Sequence, residues 1–324
     1  MGGGGEVVQG YQDFGNWGGN QRNSKTGYIK KPFVRIPVII GPTGSGKTEA
    51  AIELAKRYGF TIINADSRKI YKYLDIGTAK PPKEFRKFYR LLDIVEPCRD
   101  FSAFSWAVLA EGEIENLLRE GGKVLVEGAS VLYLKALFEG FFEHPKIPLE
   151  TREKARVLAE SGEGYKILME KDPESAKRIH PNDKYRIARA LEVLLFTGKP
   201  ISELRKEGRK PKFSPIYFFL NVPKEALKKK LFDRAREMFD MGLIEETKEI
   251  LEKYPCFAEW GKKVVAYRQA LEYLEGKYDY NTAIVKKAKA DWDLARRQIR
   301  FMRTLKPIIL TDREKILSEF SNFL

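Results

Sequence analysis

The stretch Gly41-Pro42-Thr43-Gly44-Ser45-Gly46-Lys47-Thr48 has the residue types and spacing of a phosphate cradle. It follows an apolar run, Val38 to Ile40, and opens a segment of helical character that ends at Gly59. Backbone amides in such a loop, at a helix N-terminus, form a concavity for an anion. Lys47 is placed to neutralise the terminal phosphates, and the Thr48 hydroxyl to ligate Mg2+. Asp66 stands just past a second apolar run, "FTIIN". A carboxylate at the end of such a strand can take a proton from an attacking group. The same residue type also caps helices, and Asp66-Ser67 precede a possible helical turn.

These residues need a scaffold that brings strand ends together. Strands are expected at 38–40, 60–64, 91–95 and 123–127, with Pro37 at the start of the first because it cannot donate to a ladder. Helices are expected at 47–58, 103–119 and 130–140, alternating with those strands. That alternation indicates an α/β fold, a P-loop NTPase-like parallel sheet flanked by helices. From 143 to 212 the pattern is helical only, with prolines at the joints. A strand at 215–222, helices at 224–253, 262–274 and 281–305, a short strand at 308–310 and a last helix complete the chain. The expected organisation is a glycine-rich disordered extension (1–32), the first part of the P-loop core (33–142), an all-helical insertion (143–205) and the completion of the core (206–324).

Composition narrows the partners. The formal net charge is +14, spread through the fold, which favours a polyanion, nucleic acid first, or simply a solvated basic surface. Residues 1–31 hold nine glycines and neither a signal-peptide core nor a transit pattern. No apolar run reaches the roughly 20 residues that span a bilayer. The two cysteines, Cys98 and Cys256, are remote from each other in sequence and from either histidine. This argues against a disulfide framework and a zinc site and suits a reducing, cytoplasmic setting.

The cradle alone does not name a reaction. GTPases need an Asn-Lys-x-Asp motif, which is missing. "VLVEG" (124–128) can pass for a metal-side strand with Glu127 near the ion, which keeps an ATPase open.

Taken together, "GPTGSGKT", "ADS…Y…LDIGTAKP" (65–81), "LYLKALFEG" (132–140), "RIHPNDKYRIARALEV" (178–193), "TGKPIS" (197–202), "MGLIEET" (241–247), "AYRQALEYLEG" (266–276) and "ARRQIRFMR" (295–303) stand in an order that resembles the bacterial-type tRNA dimethylallyltransferases, or tRNA isopentenyltransferases. The resemblance covers about 37–310. It implies transfer of the dimethylallyl group of dimethylallyl diphosphate to N6 of the adenosine 3′ of a tRNA anticodon, at position 37, with release of pyrophosphate. The base is flipped out of its stack to reach a channel through the core. Mg2+ is the implied cofactor and the anticodon stem-loop the implied partner of a monomer, with the insertion as a clamp.

By the same resemblance Asp66 is the general base. Thr43, Lys47 and Thr48 hold diphosphate and metal, Ser130 stands beside the leaving group, and Arg234 neutralises charge on the pyrophosphate. Ser67, Tyr71 and Asp75 are binding or structural residues near the site. On the tRNA side, Arg186 and Arg189 are candidates on one helix. Arg296, Arg300 and Arg303 share a face by i, i+4, i+7 spacing, joined by Lys289; a solvated face is the plain alternative.

Several positions depart from the family pattern. Gly128-Ala129-Ser130 replaces Gly-Gly-Thr and is preceded by Glu127. Lys69 stands where Gln is usual, "FYRLLD" (88–93) lacks the usual Pro-His start, and Trp292 stands where an arginine is common. Three other readings stay open: an adenylate isopentenyltransferase, an RNA-dependent ATPase and an inactive RNA-binding relative.

Overall fold

A computed structural model describes residues 34–140, 142–143, 145–306, 308–312 and 314–321. Its strands are β1 (Val34–Ile40), β2 (Phe60–Asn64), β3 (Tyr89–Arg90), β4 (Lys123–Gly128), β5 (Phe213–Leu220) and β6 (Ile308–Thr311). They form one sheet in the order β3-β2-β4-β1-β5-β6 with every pair parallel. A parallel sheet buries both faces, and the two-residue period of each strand sorts its side chains between them. Ile39, Ile62, Leu125, Ile216 and Phe218 face one side, where helices α1 (Lys47–Tyr58) and α14 (Ile316–Ser321) cover them. Val38, Ile40, Ile63, Val126, Tyr217 and Phe219 face the other. There α2 (Ala103–Arg119) and α3 (Val131–Phe138) pack, with side chains from the C-terminal helices.

The strands of the core are interrupted by helices α4 (Leu149–Ser161), α5 (Glu163–Lys171), α6 (Pro173–Ala176), α7 (Lys184–Thr197) and α8 (Ile201–Glu207). These pack about their own cluster, with Ala155, Leu168, Ile187 and Leu191 fully buried. The chain enters and leaves this segment through a narrow neck. A Cβ on Gly140 would lie 2.2 Å from the carbonyl oxygen of Arg209, so no side chain fits there. The exit is fixed by the buried Glu111 of α2, which pairs with Arg209 and, at 2.6 Å, with Lys212. After β5 come α9 (Lys224–Asp240), α10 (Leu243–Lys253), α11 (Phe257–Trp260), α12 (Val265–Leu274) and α13 (Tyr280–Met302).

The expected elements are corrected in four places. First, β1 begins three residues before Pro37, which is tolerated because β4 pairs with β1 only from Val38 onward. Second, 91–95 is a turn and not a strand. Leu91 and Asp93 have φ of 62° and 56°, and only Val95 makes a bridge, to Tyr71. Third, the helix expected over 224–253 breaks at Met241-Gly242.

Fourth, Cys98 and Cys256 form a disulfide, with Cα atoms 6.3 Å apart across a sequence separation of 158. Tertiary packing of the loop after β3 against α11 brings them together, and sequence spacing carries no trace of that. The argument from cysteine usage to a reducing setting therefore lapses. The expected extension at 1–32, and Phe33, lie outside the described residues.

Candidate active site

The chain leaves β1, β2 and β4 at the same edge of the sheet; Thr43, Lys47, Thr48, Asp66 and Ser130 sit in or just beyond those three turns, and Arg234 reaches them from α9. In doubly wound sheets this carboxyl edge, where strand order reverses, holds the ligand crevice. Here it opens on a cavity of about 1190 Å³ whose lining includes Thr43, Lys47, Thr48, Asp66, Ser130 and Arg234. The candidate P-loop, proton acceptor and cation thus share one space.

The loop 41–48 leads into α1 through Gly46 at φ 87°, and no side chain caps the helix. The first N–H groups of α1 are left for an anion. Lys47 is buried, with Nζ 3.5 Å from the carbonyl oxygen of Pro42. Burial pushes its pKa down, and the nearby Lys69 and Arg234 add to that against Glu127 and Asp66. A buried ammonium among other cations gains most from an arriving polyanion. The Ser45 hydroxyl is buried without a partner among the described residues. Arg234, on α9, donates from Nη1 to Thr43 Oγ1 at 2.9 Å, and the Thr43 amide donates to Gln298 Oε1 at 2.9 Å. Thus α9 and α13 hold the loop from above.

Asp66 stands in a turn and caps no helix. Its Oδ1 accepts from the Arg68 amide at 2.9 Å, closing that turn. No protein partner within hydrogen-bond range engages its second oxygen among the described residues, and the side chain lines the cavity. Ser130 braces this turn: its hydroxyl accepts from the Ser67 amide at 2.9 Å. Gly128 makes the approach possible, since a Cβ there would meet the Ala65 carbonyl oxygen at 2.2 Å. Ala129 is accommodated, so the departure at 129 leaves the turn intact.

Around Thr48 stand two of the residues that depart from the family pattern, Lys69 and Glu127. Thr48 Oγ1 donates to Glu127 Oε1 at 3.3 Å and accepts from Lys69 Nζ at 2.9 Å. One lone pair of the hydroxyl remains. Among the described residues no group of three or more His, Cys, Asp or Glu could hold a metal on its own. An Mg2+ at Thr48 fits only with oxygens of a bound diphosphate completing its shell, as is common for this ion.

The other expected residues separate. Ser67 lines the cavity. Tyr71 does not: it is buried, donates to the Arg99 carbonyl at 2.9 Å and packs on Trp260 at 4.7 Å, which is a structural role. Asp75 pairs with Lys80 at 2.9 Å and Arg86 at 2.7 Å, and those pairs hold its carboxyl below the usual range against the opposing effect of burial. Arg186 and Arg189 sit on α7, away from the cavity, each paired with an acid on or beside that helix, Asp183 and Glu192. Arg296, Arg300 and Arg303 are exposed along and just beyond α13. The opposite face of that helix carries Lys287, Asp291, Leu294, Arg297 and Gln298 into the cavity. Periodicity taken from Arg296 selects the outer face, so Arg297 and Gln298 were missed although they lie in the same quoted stretch. Trp292 packs beside Leu227 and Leu231, with the Lys228 ammonium 5.4 Å from its ring centre.

Residues 69–305 match the family model described as IPP transferase. The chain is 39% identical over 295 residues to the tRNA dimethylallyltransferase of Fervidobacterium nodosum, covering 88% of this chain and 94% of that one. It is 36% identical to the tRNA dimethylallyltransferase of Thermotoga maritima, with 85% and 92% covered. Among solved structures it is similar to a eukaryotic dimethylallyltransferase acting on tRNA (TM-score 0.72, 26% identity, 89% and 76% covered). It is also similar to the tRNA isopentenylpyrophosphate transferase of Bacillus halodurans (TM-score 0.63, 26% identity, 89% and 95% covered).

Proposed function

Because the chain belongs to the IPP transferase family, we propose that it transfers the dimethylallyl group of dimethylallyl diphosphate to N6 of the adenosine 3′ of a tRNA anticodon. The observation that carries this reading is the cavity shared by Asp66, the uncapped start of α1 and Arg234. The loop amides and Lys47 hold the diphosphate, and Arg234 meets charge that grows on the leaving oxygen. The N6 nitrogen attacks the allylic carbon, the C–O bond breaks and pyrophosphate departs. Asp66 takes the proton that N6 loses, through the oxygen that does not hold Arg68. Mg2+, held by Thr48 and the diphosphate, would neutralise the leaving group further. Work on tRNA supports a cytoplasmic setting, and Lys47, Asp66 and Arg234 lining one cavity of a single chain support action as a monomer.

The test is incubation with labelled dimethylallyl diphosphate, Mg2+ and unmodified tRNA, with AMP or ATP replacing tRNA in parallel. Label traced by nuclease digestion to the adenosine beside the anticodon is the expected result. Label only in AMP or ATP would assign the adenylate reaction instead. No transfer, with tRNA still bound, would leave an inactive RNA-binding relative.

A further inference from the structure

Glu127 and Lys69 are buried together at the phosphate end of the cavity, with side chains 0% and 5% exposed. A carboxylate at the end of a central strand is costly unless charges and donors meet it. Thr48 Oγ1 and Tyr89 OH lie 3.3 and 3.4 Å from its oxygens. Lys69 Nζ is 3.9 Å away, close enough to balance the charge and too far for a hydrogen bond. The ammonium aims instead at Thr48 Oγ1, 2.9 Å away, and its side chain lines the cavity. An ammonium has three donors. Among the described residues Lys69 uses one of them, on the P-loop hydroxyl.

We propose that Lys69 is a diphosphate ligand, a third fixed cation beside Lys47 and Arg234, held in position by Glu127 and Thr48, which lets this chain bind a diphosphate without a divalent ion. The inference rests on the diphosphate reading of the loop 41–48. Glu127 serves as a counter-ion: it lies 3.9 Å from the buried Lys69 ammonium without taking either of the two donors that Thr48 leaves free. Two departures from the family pattern thus become one device.

The experiment is calorimetric titration of the full chain with inorganic pyrophosphate, in EDTA and again with Mg2+. The proteins are wild type, Lys69→Gln and the charge-balanced pair Lys69→Gln with Glu127→Gln, with thermal melts confirming folding. Wild type is expected to bind in EDTA. Both variants should bind there about 10- to 100-fold more weakly, the worth of one hydrogen bond to a charged group. With Mg2+ the deficit should shrink. If Lys69→Gln fails to fold, the charge-balanced pair decides. Wild-type affinity in that pair would overturn the proposal, because Lys69 would then only neutralise Glu127. Binding by wild type only with Mg2+ would overturn it too, while leaving the diphosphate site standing. No binding in either buffer would remove the diphosphate reading itself.

Discussion

Replacing Asp66 with Asn separates the two tasks of that side chain. The amide keeps an oxygen where Oδ1 now accepts from the Arg68 amide at 2.9 Å, and the Asp66 amide keeps its bond to Asn64 Oδ1 at 3.2 Å. The turn should therefore persist, weakened only by the exchange of a charged acceptor for a neutral one, about 1 kcal/mol. For a chain of this size that lowers the melting temperature by only a few degrees. The amide cannot take a proton from N6, and general-base contributions of about 10²–10⁴ correspond to roughly 3–5 kcal/mol of barrier. Single-turnover transfer of labelled dimethylallyl groups reads that loss, and filter retention of tRNA reads binding. Transfer at the wild-type rate would refute Asp66 as the base. A parallel fall in rate, tRNA affinity and melting temperature would reduce it to the brace of its turn.

Three further outcomes follow from the geometry. Replacing Arg300 and Arg303 with Ala should weaken tRNA binding and reduce the slope of its salt dependence by about one to two phosphate contacts; an unchanged slope would return that face of α13 to solvent. Glu246→Gln removes an acceptor where the carboxylate takes the amides of Asp75, Ile76 and Gly77 at 3.1, 2.8 and 3.1 Å. With two donors left facing an amide NH2, since each carboxylate oxygen accepts two and Oε1 also takes the Tyr267 hydroxyl, denaturant unfolding should show a loss of about 2–3 kcal/mol; no loss would mean that the 75–77 turn does not depend on it. Cys98→Ser opens the link between Cys98 and Cys256 and should cost about 2–5 kcal/mol, matched by wild type in reductant. An unaltered midpoint in reductant would mean the link adds nothing to the fold.

Local signals announced much of this architecture. The apolar runs at 38–40, 60–64 and 123–127, and the glycine-rich loop before α1, are complete within a few residues of sequence, so the sheet and the loop at its carboxyl edge were legible. The 91–95 run was misplaced because a turn also buries Leu91 and Val95, and an apolar run without periodicity does not distinguish turn from strand. The contacts that join distant segments had no local mark. "DIGTAKP" and "MGLIEET" quoted separately are two halves of one contact, since Glu246 of the second holds the amides of the first. Burial pushes the Glu246 carboxyl up, and the donors around it oppose that. Lys69 and Glu127 likewise read as two unrelated departures until the fold put both against Thr48. The face of α13 that meets the cavity was hidden because a basic helix offers two stripes, and charge alone favours the outer one.

The neck at Gly140 and Arg209 gives the helical insertion the character of a cassette. Its two ends come together where Gly140 faces the Arg209 carbonyl and Pro211, and Glu111 pins the exit to a helix of the core. Its apolar residues pack mainly on one another. A short turn joining the two sides of the neck would span the gap without disturbing the strand order. Among the described residues, none of those that line the cavity at the far edge of the sheet comes from this segment.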